Sequence, residues 1–324
     1  MILVTGANGL LGSQIVRKLL EKKIDFVALK RVGSDISLLE KELVTWVEGD
    51  ILDINTLFDN LNNVDTVIHC AAVVSYHSSD AQLLHEVNVV GTNNIVNACI
   101  EAGVKNLIHI SSIAAFGRNK MTSLVNESTI WMESSLNTNY AETKYLAELE
   151  AWRGANEGLN VAIVNPSVIL AAGLPGRSST QLLDYSWNEH RFLINGTMSY
   201  VDVRDVVEAV YSIYDKGIYG ERFIINAGKV EYKYLFDQLA VRMMKKTPSI
   251  MAEGWLLWIA LFLQTIKYWL TRSRPTVTRE VIKTTLKDIE YDNRKSIIEL
   301  KINYRSLENS LDWVCEEYKI ARQN

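Results

Sequence analysis

Three glycines near the start set the strongest constraint on this chain. Gly6, Gly9 and Gly12 of Thr5-Gly6-Ala7-Asn8-Gly9-Leu10-Leu11-Gly12 follow the spacing G-x-x-G-x-x-G. They separate the apolar run beginning at Ile2 from a segment, Leu10 to Glu21, whose Leu11, Ile15 and Leu19 recur at helical spacing. The pattern predicts a strand, a tight turn and a helix. Glycines at such a turn let a pyrophosphate approach the backbone, where unbonded N–H groups and the helix dipole receive negative charge. Gly6, Asn8, Gly9, Leu10, Leu11 and Gly12 are the residues this reading places at the phosphates.

The same rhythm continues. Apolar runs at Phe26 to Leu29, Val44 to Val47, Val64 to Cys70, Asn106 to Ile110 and Val161 to Val164 alternate with helical patterns, among them Gln82 to Ala102 and Asn139 to Asn156. Strands apolar at nearly every position suit a parallel sheet covered on both faces, so an α/β, Rossmann-type doubly wound fold is expected. All four prolines, Pro166, Pro175, Pro248 and Pro275, fall after residue 165. Proline breaks strands and helices alike. The expectation is therefore a regular nucleotide-binding domain over 1–165 and a smaller, mixed substrate-binding lobe over 166–324. That lobe should interleave with the last sheet strands, around residues 200–226.

Composition excludes several classes. With 48% hydrophobic and 22% charged residues the chain has a globular core, and 38 acidic against 34 basic residues argue against a nucleic-acid partner. Cys70, Cys99 and Cys315 are too scattered for a disulfide framework or a zinc site, and the five histidines have no ligand spacing, so no metal is expected. No secretory signal is evident, which predicts a cytoplasmic protein. The apolar stretch from Trp255 to Leu270 falls short of the roughly 20 residues a spanning helix needs. It reads first as a buried or homodimer-interface helix, then as a lid over an apolar substrate, and last as a membrane-surface contact.

Two further clusters bear on chemistry. The second strand ends in Leu29-Lys30-Arg31, with no acid until Asp35. Cations at that place accommodate a ribose 2′-phosphate, so Lys30 and Arg31 favour NADP(H) over NAD(H). Asp50, after the third strand, is placed to accept from an adenine amino group. Tyr140 and Lys144 stand four apart on one helix and share a face. A tyrosine titrates near ~10, and moving it about three units toward neutrality takes on the order of 4 kcal/mol, which a nearby ammonium helps to supply. A second Tyr-x-x-x-Lys, Tyr291 and Lys295, lies in a polar stretch far along the chain from the glycine loop. Ser111 and Ser112 close the fifth strand, at the edge where ligands bind in such sheets.

The glycine loop and the Ser112, Tyr140 and Lys144 set resemble the short-chain dehydrogenase/reductase superfamily. The length and the form of the loop resemble its extended branch, the NAD-dependent epimerase/dehydratase family, over roughly Met1 to Ala227. The resemblance implies that Ser112, Tyr140 and Lys144 are catalytic, with Lys144 also bonding the ribose. It further implies Asp50 and Ile51 at the adenine, Ala71 and Ala72 beneath the cofactor, Asn88 in support, and Pro166, Ser167 and Val168 against the nicotinamide. Ser112 matches the family serine because it lies five before Gly117, with Phe116 in place of a tyrosine. Ile113-Ala114 replaces the acid pair of the dehydratases, and Asn165-Pro166-Ser167-Val168 departs from the epimerase stretch. The chain is thus most similar to the dihydroflavonol reductase and 3β-hydroxysteroid dehydrogenase side of the branch. The implied activity is carbonyl–alcohol interconversion on a small molecule. The alternatives are a nucleotide-sugar epimerase with tightly bound NAD and, behind it, a non-catalytic nucleotide-binding scaffold.

Overall fold

The protein is described by a computed structural model over residues 1–118, 123–173, 180–252 and 288–323. Its main sheet has seven strands: β1 (Ile2–Thr5), β2 (Phe26–Lys30), β3 (Trp46–Glu48), β4 (Thr66–His69), β5 (Asn106–Ile110), β7 (Asn160–Pro166) and β11 (Glu221–Ile225). They lie in the order β11-β7-β5-β4-β1-β2-β3, every neighbouring pair parallel. The order reverses between β1 and β4, which opens a crevice at their carboxyl ends.

Alternation along each strand explains why the runs are apolar throughout. Ile2 and Val4 point to one face and join Ile15, Val16 and Leu19 of α1 (Leu10–Glu21) and Val206 and Val210 of α7 (Val203–Lys216). Leu3 points to the other face, with Leu57 of α2 (Ile54–Asn60), Ile95 and Val96 of α4 (Gly91–Glu101) and Ala151 of α5 (Asn139–Asn156). Each such buried aliphatic side chain contributes about 1.5–3 kcal/mol. A polar residue at any of these positions would open one core or the other.

The helix expected from Gln82 to Ala102 is interrupted. It begins as α3 (Ala81–Leu84), widens into a π-helical turn at His85–Val90 and resumes as α4. The wider turn holds Asn88, which is 1% exposed. Such turns often sit at functional sites.

Beyond Pro166 the chain builds a three-stranded sheet from β8 (Val168–Leu170), β10 (Thr197–Asp202) and β12 (Gly228–Glu231). Two short parallel pairs accompany it: β9 (Phe192–Ile194) with β13 (Ile250–Ala252), and β6 (Leu124–Val125) with β14 (Glu290–Tyr291). A third core joins α6 (Thr180–Trp187), α8 (Tyr232–Met243) and α10 (Leu307–Gln323) through Leu183, Leu235, Leu239, Leu311, Val314 and Tyr318. The short α9 (Arg294–Glu299) packs on β11. The apolar stretch 255–270, with its three readings, lies outside the described residues. Among the described residues no helix is long and apolar enough to cross a membrane.

Candidate active site

The glycine loop stands at the sheet's crevice. Gly6 has φ 64°, and a Cβ there would come within 2.7 Å of the Ala71 nitrogen just after β4. A Cβ on Gly12 would lie 2.2 Å from the Gly6 carbonyl oxygen. The loop closes with a Gly9 N–H to Gly6 oxygen bond of 2.9 Å, and Gly9 caps α1 without a side chain. First-turn N–H groups of α1 thus face the crevice with no side-chain acceptor, which suits a pyrophosphate. Asn8 turns away, its amide donating to the Asp35 carbonyl at 3.0 Å. Leu10 carries the next element across the loop: a Cβ on Gly173, after β8, would be 2.0 Å from Leu10 Cδ2. Leu11 packs against the α1-side core.

Where the sequence reading puts the adenosine, beside the ends of β2 and β3, lies an open cleft of about 500 Å³ lined by Arg31, Gly33, Ser34, Gly49 and Asp50 among others. Lys30 and Arg31 are not equivalent there. Lys30 Nζ pairs with Glu48 at 3.2 Å across β2 and β3, while Arg31 has no ion pair among the described residues. Asp50 Oδ1 accepts from the Leu52 N–H at 3.0 Å, so one carboxylate oxygen is used within its own turn. Ile51 lies over Gly91, where a Cβ would meet its Cδ1 at 2.6 Å.

Thr5 organises the floor. Its hydroxyl accepts from the Ala71 N–H at 3.2 Å and bonds His69 Nδ1 at 2.7 Å, and His69 Nε2 reaches Thr92 at 3.1 Å. Ala72 is exposed. Asn88 bridges two elements: its Oδ1 accepts from the Val73 N–H at 2.8 Å, and its Nδ2 donates to the Val73 carbonyl and to Thr143 Oγ1. Thr143 in turn donates to the Tyr140 carbonyl at 3.0 Å. Asn88 therefore ties the loop after β4 to the helix bearing Tyr140.

Ser112, Tyr140 and Lys144 come together at the end of β5. Thr138 caps α5 by accepting from the Ala141 N–H at 3.1 Å, which fixes the first turn where Tyr140 sits. Ser112 accepts from the Ala114 N–H at 3.1 Å, leaving its own proton to donate, and it shares a hydrogen bond with the Tyr140 phenol. Lys144 is 2% exposed and donates to the Ile110 carbonyl at 2.8 Å. Burial brings its pKa down to about 8, against the pull of Glu148 and Cys70. Tyr140 differs from the sequence expectation: burial, then the neighbouring Tyr76, pushes its pKa up, and the Ser112 hydrogen bond opposes this in part. Lys144 does not lower it here, because its ammonium is directed at a carbonyl. Pro166 ends β7, Ser167 donates its N–H to the Ile225 carbonyl at 3.0 Å, and Val168 begins β8 with 38% of its surface exposed.

Several cleft residues escape a sequence reading. Tyr76 meets Tyr140 edge-on at 6.1 Å between ring centroids. Tyr291 is buried, hydrogen-bonds Arg118 and interacts with Tyr76, while Lys295 turns to Glu221 at 2.5 Å, so the second Tyr-x-x-x-Lys is no pair. Tyr232 is close enough to feel both Tyr76 and Arg118. These residues come from loops and short strands with no periodicity to expose them. Glu148 did carry a signal, since it continues the Tyr140 and Lys144 stripe by four residues.

A parallel sheet with an α1 glycine loop at its switch point and a Ser-Tyr-Lys cluster at the end of β5 defines a dinucleotide-binding enzyme of the short-chain dehydrogenase/reductase type. Residues 2–228 match the NAD dependent epimerase/dehydratase family, and the chain belongs to it. It is 36% identical over 228 residues to sterol demethylase protein B of Methylococcus capsulatus, covering 69% of this chain and 68% of that protein. A putative dihydroflavonol 4-reductase of Synechocystis is 28% identical over 315 residues, 95% of this chain and 91% of the relative. The solved structure of gox2253 superposes with a TM-score of 0.82 at 26% identity, covering 99% of this chain and 98% of the other. The protein is thus an NAD(P)-dependent oxidoreductase by family.

Proposed function

We propose that the protein is an NADP(H)-dependent reductase that interconverts a ketone or aldehyde with its alcohol, using Tyr140 as the acid/base. The carrying observation is the hydrogen bond between Ser112 and Tyr140 at the carboxyl end of β5, with Lys144 one helical turn behind. When bound, the cofactor supplies the hydride. Ser112 donates to the substrate oxygen as charge builds there, and Tyr140 passes its proton to the same oxygen. A phenol held protonated, as burial holds this one, is ready for the reductive direction. Lys144, its ammonium held at the Ile110 carbonyl one helical turn behind Tyr140, is the group that would bond the ribose hydroxyls.

The preference for NADP(H) rests on Arg31, unpaired among the described residues at the mouth of the adenosine cleft, and on the absence of an acid between β2 and Asp35. Tyr76 lies edge-on to Tyr140, and Tyr232 and Tyr291 lie near enough to Tyr76 to interact with it; aromatic surroundings of this kind suit an apolar or aromatic carbonyl compound. The resemblance to a dihydroflavonol reductase supports the same class.

Purified protein tests the reading. NADPH oxidation against a panel of aromatic aldehydes and ketones, with an otherwise empty site that takes up NADPH in titration, is the expected result. NAD(H) that survives gel filtration, with interconversion of nucleotide sugars, would establish the epimerase instead. Binding of NADPH without turnover of either substrate class would leave a scaffold.

A further inference from the structure

The stripe that carries Tyr140 and Lys144 along α5 reaches Glu148 one turn later. Its carboxylate is 2% exposed and is gripped from two other elements. Asn165 of β7 donates to Oε1 at 2.5 Å, and Arg222 of β11 donates to Oε2 at 3.2 Å. The same Asn165 amide also donates to the Ser112 carbonyl at 3.0 Å. Arg222 donates to the carbonyls of Glu127 and Thr129, both at 2.8 Å, and lies 4.3 Å over the Phe116 ring. One buried carboxylate thereby links the serine, the lysine helix and two strands.

Buried ion networks are weak evidence for stability, since apolar packing can serve as well, so this one calls for another reason. The groups acting on Lys144 supply it. His69 from β4, His109 from β5, Cys70 after β4 and Glu148 from its own helix all interact with it electrostatically, and Arg222 stands beyond Glu148. Burial keeps both imidazoles neutral and the thiol protonated. Glu148 is the formal negative charge in that set.

We infer that Glu148 is a positioning residue for the Ser112, Tyr140 and Lys144 set: through Asn165 it fixes the Ser112 backbone, and one turn behind Lys144 on the same buried face of α5 it sets a carboxylate behind the ammonium, with Arg222 on its other oxygen. This rests on the reading of those three residues as the reacting set.

The test is an NMR titration of full-length protein labelled with ¹³C at lysine Cε, the Lys144 signal being assigned by its loss in Lys144→Met. Glu148→Gln should lower the Lys144 midpoint by about one unit, the low end of what a nearby opposite charge does. Glu148→Asp should restore most of it, and Arg222→Gln should raise it. General loosening admits water and moves a buried lysine upward, so a fall in Glu148→Gln is not what a structural defect produces. An unchanged or raised midpoint in Glu148→Gln overturns the inference. If that variant does not fold, Arg222→Gln and Arg222→Lys decide together: a rise in the first that is absent in the charge-conserving second supports the inference, and a rise in both, or in neither, overturns it. The titration needs no turnover, so it is distinct from the catalytic reading, which fails if Tyr140→Phe reduces carbonyls at the normal rate.

Discussion

Tyr140 and Lys144 titrate in opposite directions from their ordinary values, and both shifts come first from burial. Their consequence for pH dependence has a definite sign. Tyr140 stays protonated through neutrality, so the reductive kcat should be level there and fall as pH rises past about 8, where Lys144 loses its charge. The oxidative direction needs the phenol deprotonated and should gain with rising pH. Stopped-flow NADPH oxidation across pH 6 to 10 checks the first limb. Tyr140→Phe should cost about 10²–10⁴-fold in kcat while fluorescence titration shows NADPH affinity within a few-fold of the parent. At the other end of the cofactor, Arg31→Ala should weaken NADPH by about tenfold relative to NADH, roughly the value of one bond to a charged phosphate, whereas Lys30→Ala should do little because Glu48 already holds Lys30. The sequence showed the residue types and their spacing. It did not show which way the tyrosine would shift, because that depends on burial and on where the Lys144 ammonium points.

At the scale of elements, the glycine loop and the π-helical turn carry the geometry. Gly12→Ala would drive a methyl group against the Gly6 carbonyl, a backbone atom that cannot step aside. The expected outcome is lost NADPH binding with at least 1–3 kcal/mol of destabilisation, read by calorimetry and denaturant unfolding. The loop was legible because glycine spacing between a strand and a helix leaves few other solutions. The π-helical turn was not. Periodicity over Gln82 to Ala102 reports apolar residues on a helix face, and one widened turn that buries Asn88 barely disturbs that pattern.

Across the whole molecule, the two faces of the sheet were readable from strands apolar at nearly every position, while the lobe beyond Pro166 was readable as smaller and mixed but not in its strand pairing. Its strands are short, partly exposed and paired with segments far along the chain, so local pattern had little to report. The central strands also bury His69 and His109, register partners with ring centroids 5.4 Å apart. His109 has neither ring nitrogen bonded among the described residues. Both folded pKa values lie below the unfolded value near 6.5, that of His69 at about 3, so their contribution to stability is full above pH 6.5 and is lost as pH falls. Over that window each residue costs up to about 1.4 kcal/mol per pH unit. His109→Phe should therefore raise the melting temperature more at pH 5 than at pH 7.5, and equal shifts at the two values would contradict the assignment.

The place of β11 bears on how such a protein can be re-engineered. This strand follows much of the smaller lobe in the chain, yet it completes the main sheet beside β7 with Phe223, Ile224 and Ile225 fully buried. A chimaera joined at residue 165 would close β7 with the other parent's strand, so the sheet's last pairing and the core it covers would be mismatched. Exchange of part of the smaller lobe as an inserted cassette therefore needs two junctions, the second upstream of β11 so that the host keeps its own closing strand, and it leaves β12, α8 and α10 as the host's own.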